Sequence, residues 1–130
     1  MIVVGYTADG FGQAALDHGI AEARLRDTEV LVINATAGDA YADPAFAQPE
    51  RVRDVQARLA TSGVHFEWAQ PIGVDAATEL LSAMERPDAE LLVIGVKHRN
   101  PVGKLLMGSV AQQVLLECRK PVLAVKPDEA

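Results

Sequence analysis

Gly95 and, thirteen residues further on, the pair Gly108-Ser109 bracket the most basic stretch of an acidic chain, with Lys97, His98, Arg99 and Lys104 between them. Gly95 opens a loop behind an apolar run, Leu91–Ile94, and Gly108-Ser109 stands where a helical pattern begins. That arrangement suits a phosphate. The first N–H groups of a helix have no partner within it, the helix dipole favours an anion there, and glycine admits close backbone approach. The competing reading is a solvated loop whose charges only keep the surface polar. An acidic background and a helix start favour phosphate or nucleotide contact.

Other chemistries fail on spacing. Gly103-Lys104-Leu105 is not a P-loop, because the earlier glycine position is His98 and Leu105 stands where Ser or Thr must hold magnesium. TADGFG after the first apolar run offers Gly10 and Gly12 but no third glycine for a dinucleotide fingerprint. Lys126-Pro127 has no accompanying carboxylates for a phosphoacceptor site: the third strand ends at Gln70 and only Asp9 lies near the first. Gly108-Ser109 follows Met107 and opens a helix, so it is no nucleophile elbow. His18, His65 and His98 fall in separate elements, and Asp9 alone reads as a cap or turn residue. The single Cys118 excludes an internal disulfide and reads as an inert core thiol. No catalytic machinery or metal cluster emerges, so the expectation is a binding protein and not an enzyme.

The elements that must position this loop follow from periodicity. Apolar runs at Ile2–Tyr6, Val30–Ala35, Leu91–Ile94 and Val122–Val125 read as strands covered on both faces, while His65–Gln70 alternates as a half-exposed edge strand does. Helical patterns run from about Gly12 to Arg26 (Leu16, Gly19, Ile20 and Ala23 inward) and from Asp43-Pro44 to about Ser62 (Val52, Val55 and Leu59 inward). A third covers Val74 to Glu85 (Val74, Ala77, Leu81 and Met84 inward), and a fourth starts at Gly108-Ser109 (Ala111, Val114, Leu115 and Cys118 inward). Thr36–Ala42 is a polar loop. Strand–helix alternation without linker or repeat predicts one α/β domain over residues 1–130, a doubly wound parallel sheet of five strands between two helix layers.

With 130 residues and a net charge of −6, the chain is one domain with no general nucleic-acid coat. It has no apolar run of the roughly 18–20 residues that cross a membrane, and MIVVGYTADG shows no basic region before its first strand. The expectation is a cytoplasmic protein without membrane or nucleic-acid partners.

Gly95, Gly108-Ser109, the following VAQQVL and PVLAV, and the opening MIVVGY resemble the universal stress protein family over the whole chain. The family pattern is Gly-x2-Gly-x9-Gly-Ser/Thr; here its second glycine is His98, and Thr7 stands where nucleotide-binding members carry aspartate. The resemblance implies strand order 3-2-1-4-5 and an adenine nucleotide, ATP or AMP (or cyclic AMP), with or without magnesium. Its contacts would be Gly5, Tyr6 and Thr7 after the first strand, and the backbone of Ala35 at the adenine. Ile94, Gly95 and His98 would follow, then Gly108, Ser109, Val110 and Ala111. It also implies a stress-response sensor that is a homodimer through Val122–Val125, an edge strand in that order. The changes at Thr7 and His98 motivate the alternative, a nucleotide-free dimeric interaction module.

Overall fold

The computed structural model of the chain describes residues 1–96 and 108–127. Its strands are β1 (Ile2–Gly5), β2 (Val30–Ile33), β3 (Phe66–Ala69), β4 (Leu91–Gly95) and β5 (Val122–Val125). The helices between them are α1 (Gly10–Arg26), α2 (Pro49–Thr61), α3 (Ala76–Met84) and α4 (Ser109–Glu117). All pairings are parallel, in the order β3-β2-β1-β4-β5, with Ile2 opposite Val30 on one side and Leu91 on the other. The inferred α/β class and strand order both hold.

Alternation along the strands divides the core in two. Ile2, Val4, Val30, Val32, Leu91 and Val93 pack with Leu16 and Ile20 of α1 and Val55 and Leu59 of α2. Val3, Leu31, Ile33, Leu92 and Ile94 point the other way, onto Ala77, Leu80 and Met84 of α3 and Ala111 and Val114 of α4. Burial on both faces explains the continuous apolar runs of β1, β2 and β4; β5, expected to be covered on both faces, lies at an edge with only Val125 fully buried and Ala124 exposed. The chain thus winds outward from β1 to β3 with its helices on one face, then returns to β4 and β5 with them on the other. Loops after β1 and β4 diverge to opposite faces and leave a crevice at the carboxyl ends of these two strands. Gly19 lets α1 lie close on the sheet, since a Cβ there would stand 2.3 Å from Cγ2 of Val4.

Several sequence expectations need correction. Helix α2 begins at Pro49, not at Asp43-Pro44. The carboxylate of Asp43 instead accepts from Oγ1 of Thr36 at 2.7 Å and from its near neighbour Ala45 N at 3.0 Å, which holds a turn. Helix α3 begins after Asp75, whose side chain caps it, and buries Leu80 where Leu81 was expected. On α4, Leu115 is 37% exposed, and Cys118 is only half-buried at the C-cap. Helix α1 starts at Gly10, two residues early, because Asp9 caps it.

Two polar residues, Asn34 and Thr36, are buried just beyond the end of β2. Asn34, 1% exposed, follows β2 and uses both amide hydrogens and both carbonyl lone pairs. Its Nδ2 donates to Tyr6 O at 2.9 Å and Ala45 O at 3.0 Å; its Oδ1 accepts from Ala47 N at 2.8 Å and Nε2 of Gln70 at 3.0 Å. The loop before α2 is thereby tied to the ends of β1, β2 and β3. Asn34→Ala leaves these groups without partners in the interior, and the expected cost is about 3 kcal/mol. Urea unfolding followed by the fluorescence of the single Trp68 measures it, and a loss below about 1 kcal/mol would contradict this role.

Candidate functional site

The crevice between β1 and β4 opens into a cavity of about 360 Å³, within the range of small-molecule sites. Gly5, Tyr6, Thr7 and Asp9 form the wall after β1; Ala35, Thr36, Asp43 and Ala45 form the wall after β2. Asp75, Ala76 and Leu80 come from α3, Ile94, Gly95 and Val96 from β4, and Gly108, Val110 and Ala111 from the start of α4. The floor is apolar and the polar groups sit at the rim.

Each wall is fixed locally. Thr36 N donates to Pro71 O at 3.0 Å, and Gly73 N returns a bond to Thr36 O at 2.8 Å. Ala8 N donates to Ala45 O at 2.9 Å, joining the loops that follow β1 and β2. Oδ1 of Asp9 accepts from Gly12 N at 3.0 Å as the α1 N-cap and from Oγ1 of Thr7 at 2.6 Å. Asp75 caps α3 by accepting from Thr78 N at 3.0 Å. At α4, Gly108 is the N-cap and, as at α2, no side chain among the described residues caps the helix; first-turn N–H groups of a helix have no partner within it.

The two motif glycines do different work. A Cβ on Gly95 would lie 2.3 Å from Phe11 O, so glycine there admits the start of α1. A Cβ on Gly108 would meet nothing within 4 Å, and its φ of −65° suits any residue. Among the described residues, protein fills the space at Gly95 and none stands against Gly108.

Tyr6 turns its ring into the core, edge-on to Trp68 at 5.6 Å between centroids. Its hydroxyl is buried without a hydrogen-bond partner among the described residues. Burial raises its pKa above the ordinary tyrosine value; nearby Arg51 pulls it down, and Asp9 and Asp54 add to the rise.

A model of the universal stress protein family matches residues 1–126. The chain belongs to that family. A universal stress protein of Mycolicibacterium smegmatis (strain ATCC 700084 / mc(2)155) is 71% identical over 127 residues, 98% of each chain. The solved universal stress protein of Archaeoglobus fulgidus is 28% identical, superposes with a TM-score of 0.78 and is matched over 96% of this chain and 97% of its own. Another Archaeoglobus fulgidus structure, a universal stress protein in complex with dAMP, is 24% identical with a TM-score of 0.64 over 96% of both chains, a likeness of fold.

Of the positions that the family resemblance singled out, Gly5, Tyr6, Thr7, Ala35, Ile94, Gly95, Gly108, Val110 and Ala111 all line the one cavity. Ser109 is exposed at the first turn of α4 and is not part of that lining. His98 lies outside the described residues, as do Lys97, Arg99 and Lys104. Sequence reasoning missed Thr36, Asp43 and Asp75 as lining residues and read Asp9 as a cap or turn residue, which it is. Asp75 carried a readable signal, a capping residue directly before the helical run AATELL, whereas Asp43 was misassigned as a helix start.

Gly95→Ala should destabilise this member of the family by about 2 kcal/mol, because backbone must move, while Gly108→Ala should stay within about 0.5 kcal/mol. Urea unfolding of both variants checks the difference, and the reverse order would refute the packing described. Tyr6→Phe removes an unpaired buried hydroxyl and should be neutral or stabilising by up to about 1 kcal/mol at pH 7. The folded chain keeps the Tyr6 proton to a higher pH than the unfolded chain, whose tyrosine ionises near about 10. This contribution is therefore complete below pH about 10 and is lost as pH rises through the folded value. Unfolding at pH 7 and about 10.8 should show a smaller alkaline loss in Tyr6→Phe than in the parent.

Proposed function

We propose that the chain binds an adenine nucleotide, ATP or AMP, in the cavity at the switch between β1 and β4, and serves as a cytoplasmic stress-response sensor or regulator without catalysing a reaction. The observation that carries this reading is the coincidence of the motif with the cavity. An apolar slot large enough for a small ligand runs to a helix N-terminus that no described side chain caps, and the Gly95…Gly108 frame borders it. The dAMP complex of the Archaeoglobus fulgidus protein supports an adenine nucleotide as the ligand class.

In this proposal the base lies against Ala35 and the phosphate at Gly108 and Ser109, where first-turn N–H groups and a hydroxyl can donate to its oxygens; His98, outside the described residues, is a further contact that the family resemblance implies. Among the described residues no group of three or more His, Cys, Asp or Glu side chains could hold a metal. Magnesium therefore enters, where it enters, on the phosphates of the nucleotide. No described helix is long and apolar enough to cross a membrane.

A homodimer through Val122–Val125 belongs to the same proposal, since no described strand covers the outer edge of β5. Leu116, 79% exposed on α4, adds apolar surface and favours the second reading, a nucleotide-free dimeric interaction module. Isothermal titration with AMP and ATP, with and without magnesium, on nucleotide-stripped protein separates the two. Micromolar binding is the expected result. Absence of heat at two temperatures would leave the interaction module standing, and light scattering that shows a monomer at micromolar concentration would remove that module as well.

A further inference from the structure

Strand β3 is an outer strand of the sheet, paired on one side with β2 and, among the described residues, with no strand on the other. Its two faces differ. Trp68 packs half-buried beside Val55 and Leu59 of α2, and Phe66, two residues earlier on the same face, is 37% exposed. On the opposite face a groove of about 310 Å³ runs between β3 and α3. Leu31, Ile33 and Ala69 lie along it, with Glu67, Glu79 and Arg86 beside them.

The charges along this groove do not cancel. Arg86 is already engaged, since its Nη2 donates to Oδ2 of Asp88 at 3.2 Å and its Nε to Oδ1 at 3.3 Å. Neither Glu67 nor Glu79 has an ion pair among the described residues. Two carboxylates therefore remain for a cation from outside, and the apolar floor suits the methylene stem of a lysine or arginine. The backbone beside them is the edge of a sheet, which can take an added strand.

The same charge tells against a second copy of this chain. Antiparallel pairing of β3 with itself about a two-fold axis brings both Glu67 carboxylates together on one face of a strand of four residues, where like charges repel. The other outer strand, β5, reads VLAV and carries no charge.

We propose that the outer edge of β3 docks an extended segment of a partner protein in which basic and apolar residues alternate. Main chain pairs with main chain. The basic side chains reach over Ala69 toward Glu67 and Glu79, and the apolar ones lie beside Phe66 and Trp68. None of this depends on what the cavity between β1 and β4 binds.

The test uses the full chain and capped hexapeptides: alternating lysine and valine, the same with glutamate for lysine, and the first N-methylated on either its lysine or its valine nitrogens. Trp68, the single tryptophan, is the reporter. The lysine peptide should change its emission saturably, with amide shifts centred on β3. The glutamate peptide and one of the two N-methylated forms should bind about tenfold or more weakly, having lost the ion pairs or the strand hydrogen bonds. Glu67→Gln and Glu79→Gln should each weaken the lysine peptide about two- to fivefold with an unchanged urea midpoint, the range of an exposed ion pair. Raising salt from about 0.05 M to about 0.5 M should weaken it as well.

No saturable response of the parent at millimolar lysine peptide would overturn the proposal. Equal binding of the lysine and glutamate peptides, full binding of both N-methylated forms, or amide shifts centred on β5 would do the same, as would undiminished affinity in the double variant Glu67→Gln, Glu79→Gln. If Glu67→Gln enlarges the particle seen by light scattering while the parent ignores the peptide, the carboxylate only keeps copies apart and the docking surface falls.

Discussion

Asn34 is a neutral amide buried just beyond the end of β2, and it has a partner for every donor and acceptor it owns. A buried polar group of this kind stabilises only when complete, because each unmatched atom costs about 1–3 kcal/mol. Completeness demands that Tyr6, Ala45, Ala47 and Gln70 converge on one point, so the ends of three strands and the loop before α2 adopt a single arrangement. The wall of the cavity that carries Thr36, Asp43 and Ala45 is built on that point. The packing of the sheet supplies the burial; this amide decides where the irregular chain above it must go.

The site follows from the reversal of winding. Helices α1 and α2 cover one face and α3 and α4 the other, so the chain leaves β1 and β4 in opposite directions and cannot fill the space between their ends. The two glycines at this place show how that space is divided. Gly95 is consumed by protein, with Phe11 against it, whereas Gly108 faces open space beside N–H groups that no side chain caps. Retaining three carboxylates at the same rim looks unfavourable for an anionic ligand until their bonds are followed. Each of them caps a helix or holds a turn.

Much of this was legible from periodicity. Two-sided burial wrote β1, β2 and β4 as unbroken apolar runs, and the alternation in HFEWAQ marked β3 as an edge. The motif spacing and the family resemblance located the cavity. What stayed hidden depended on contacts distant in sequence. Asp43-Pro44 looks like a helix start, but Thr36 and Ala45 draw Asp43 into a turn and α2 begins only at Pro49. Helix phase slipped by one residue at Leu80, since both Leu80 and Leu81 satisfy the pattern within so short a helix. Asn34 closes an apolar run and gave no periodic signal of its own; its partners lie up to 36 residues away.

The proposed function requires an adenine nucleotide to bind at the β1–β4 switch. Amide chemical-shift mapping on isotopically labelled protein titrated with AMP tests it most directly. The largest shifts should fall on Gly5 to Asp9, Ala35, Ile94 to Val96 and Gly108 to Ala111, with the α2 and β3 amides quiet. Shifts concentrated along β5 or α2, or an unchanged spectrum at saturating AMP, would contradict it.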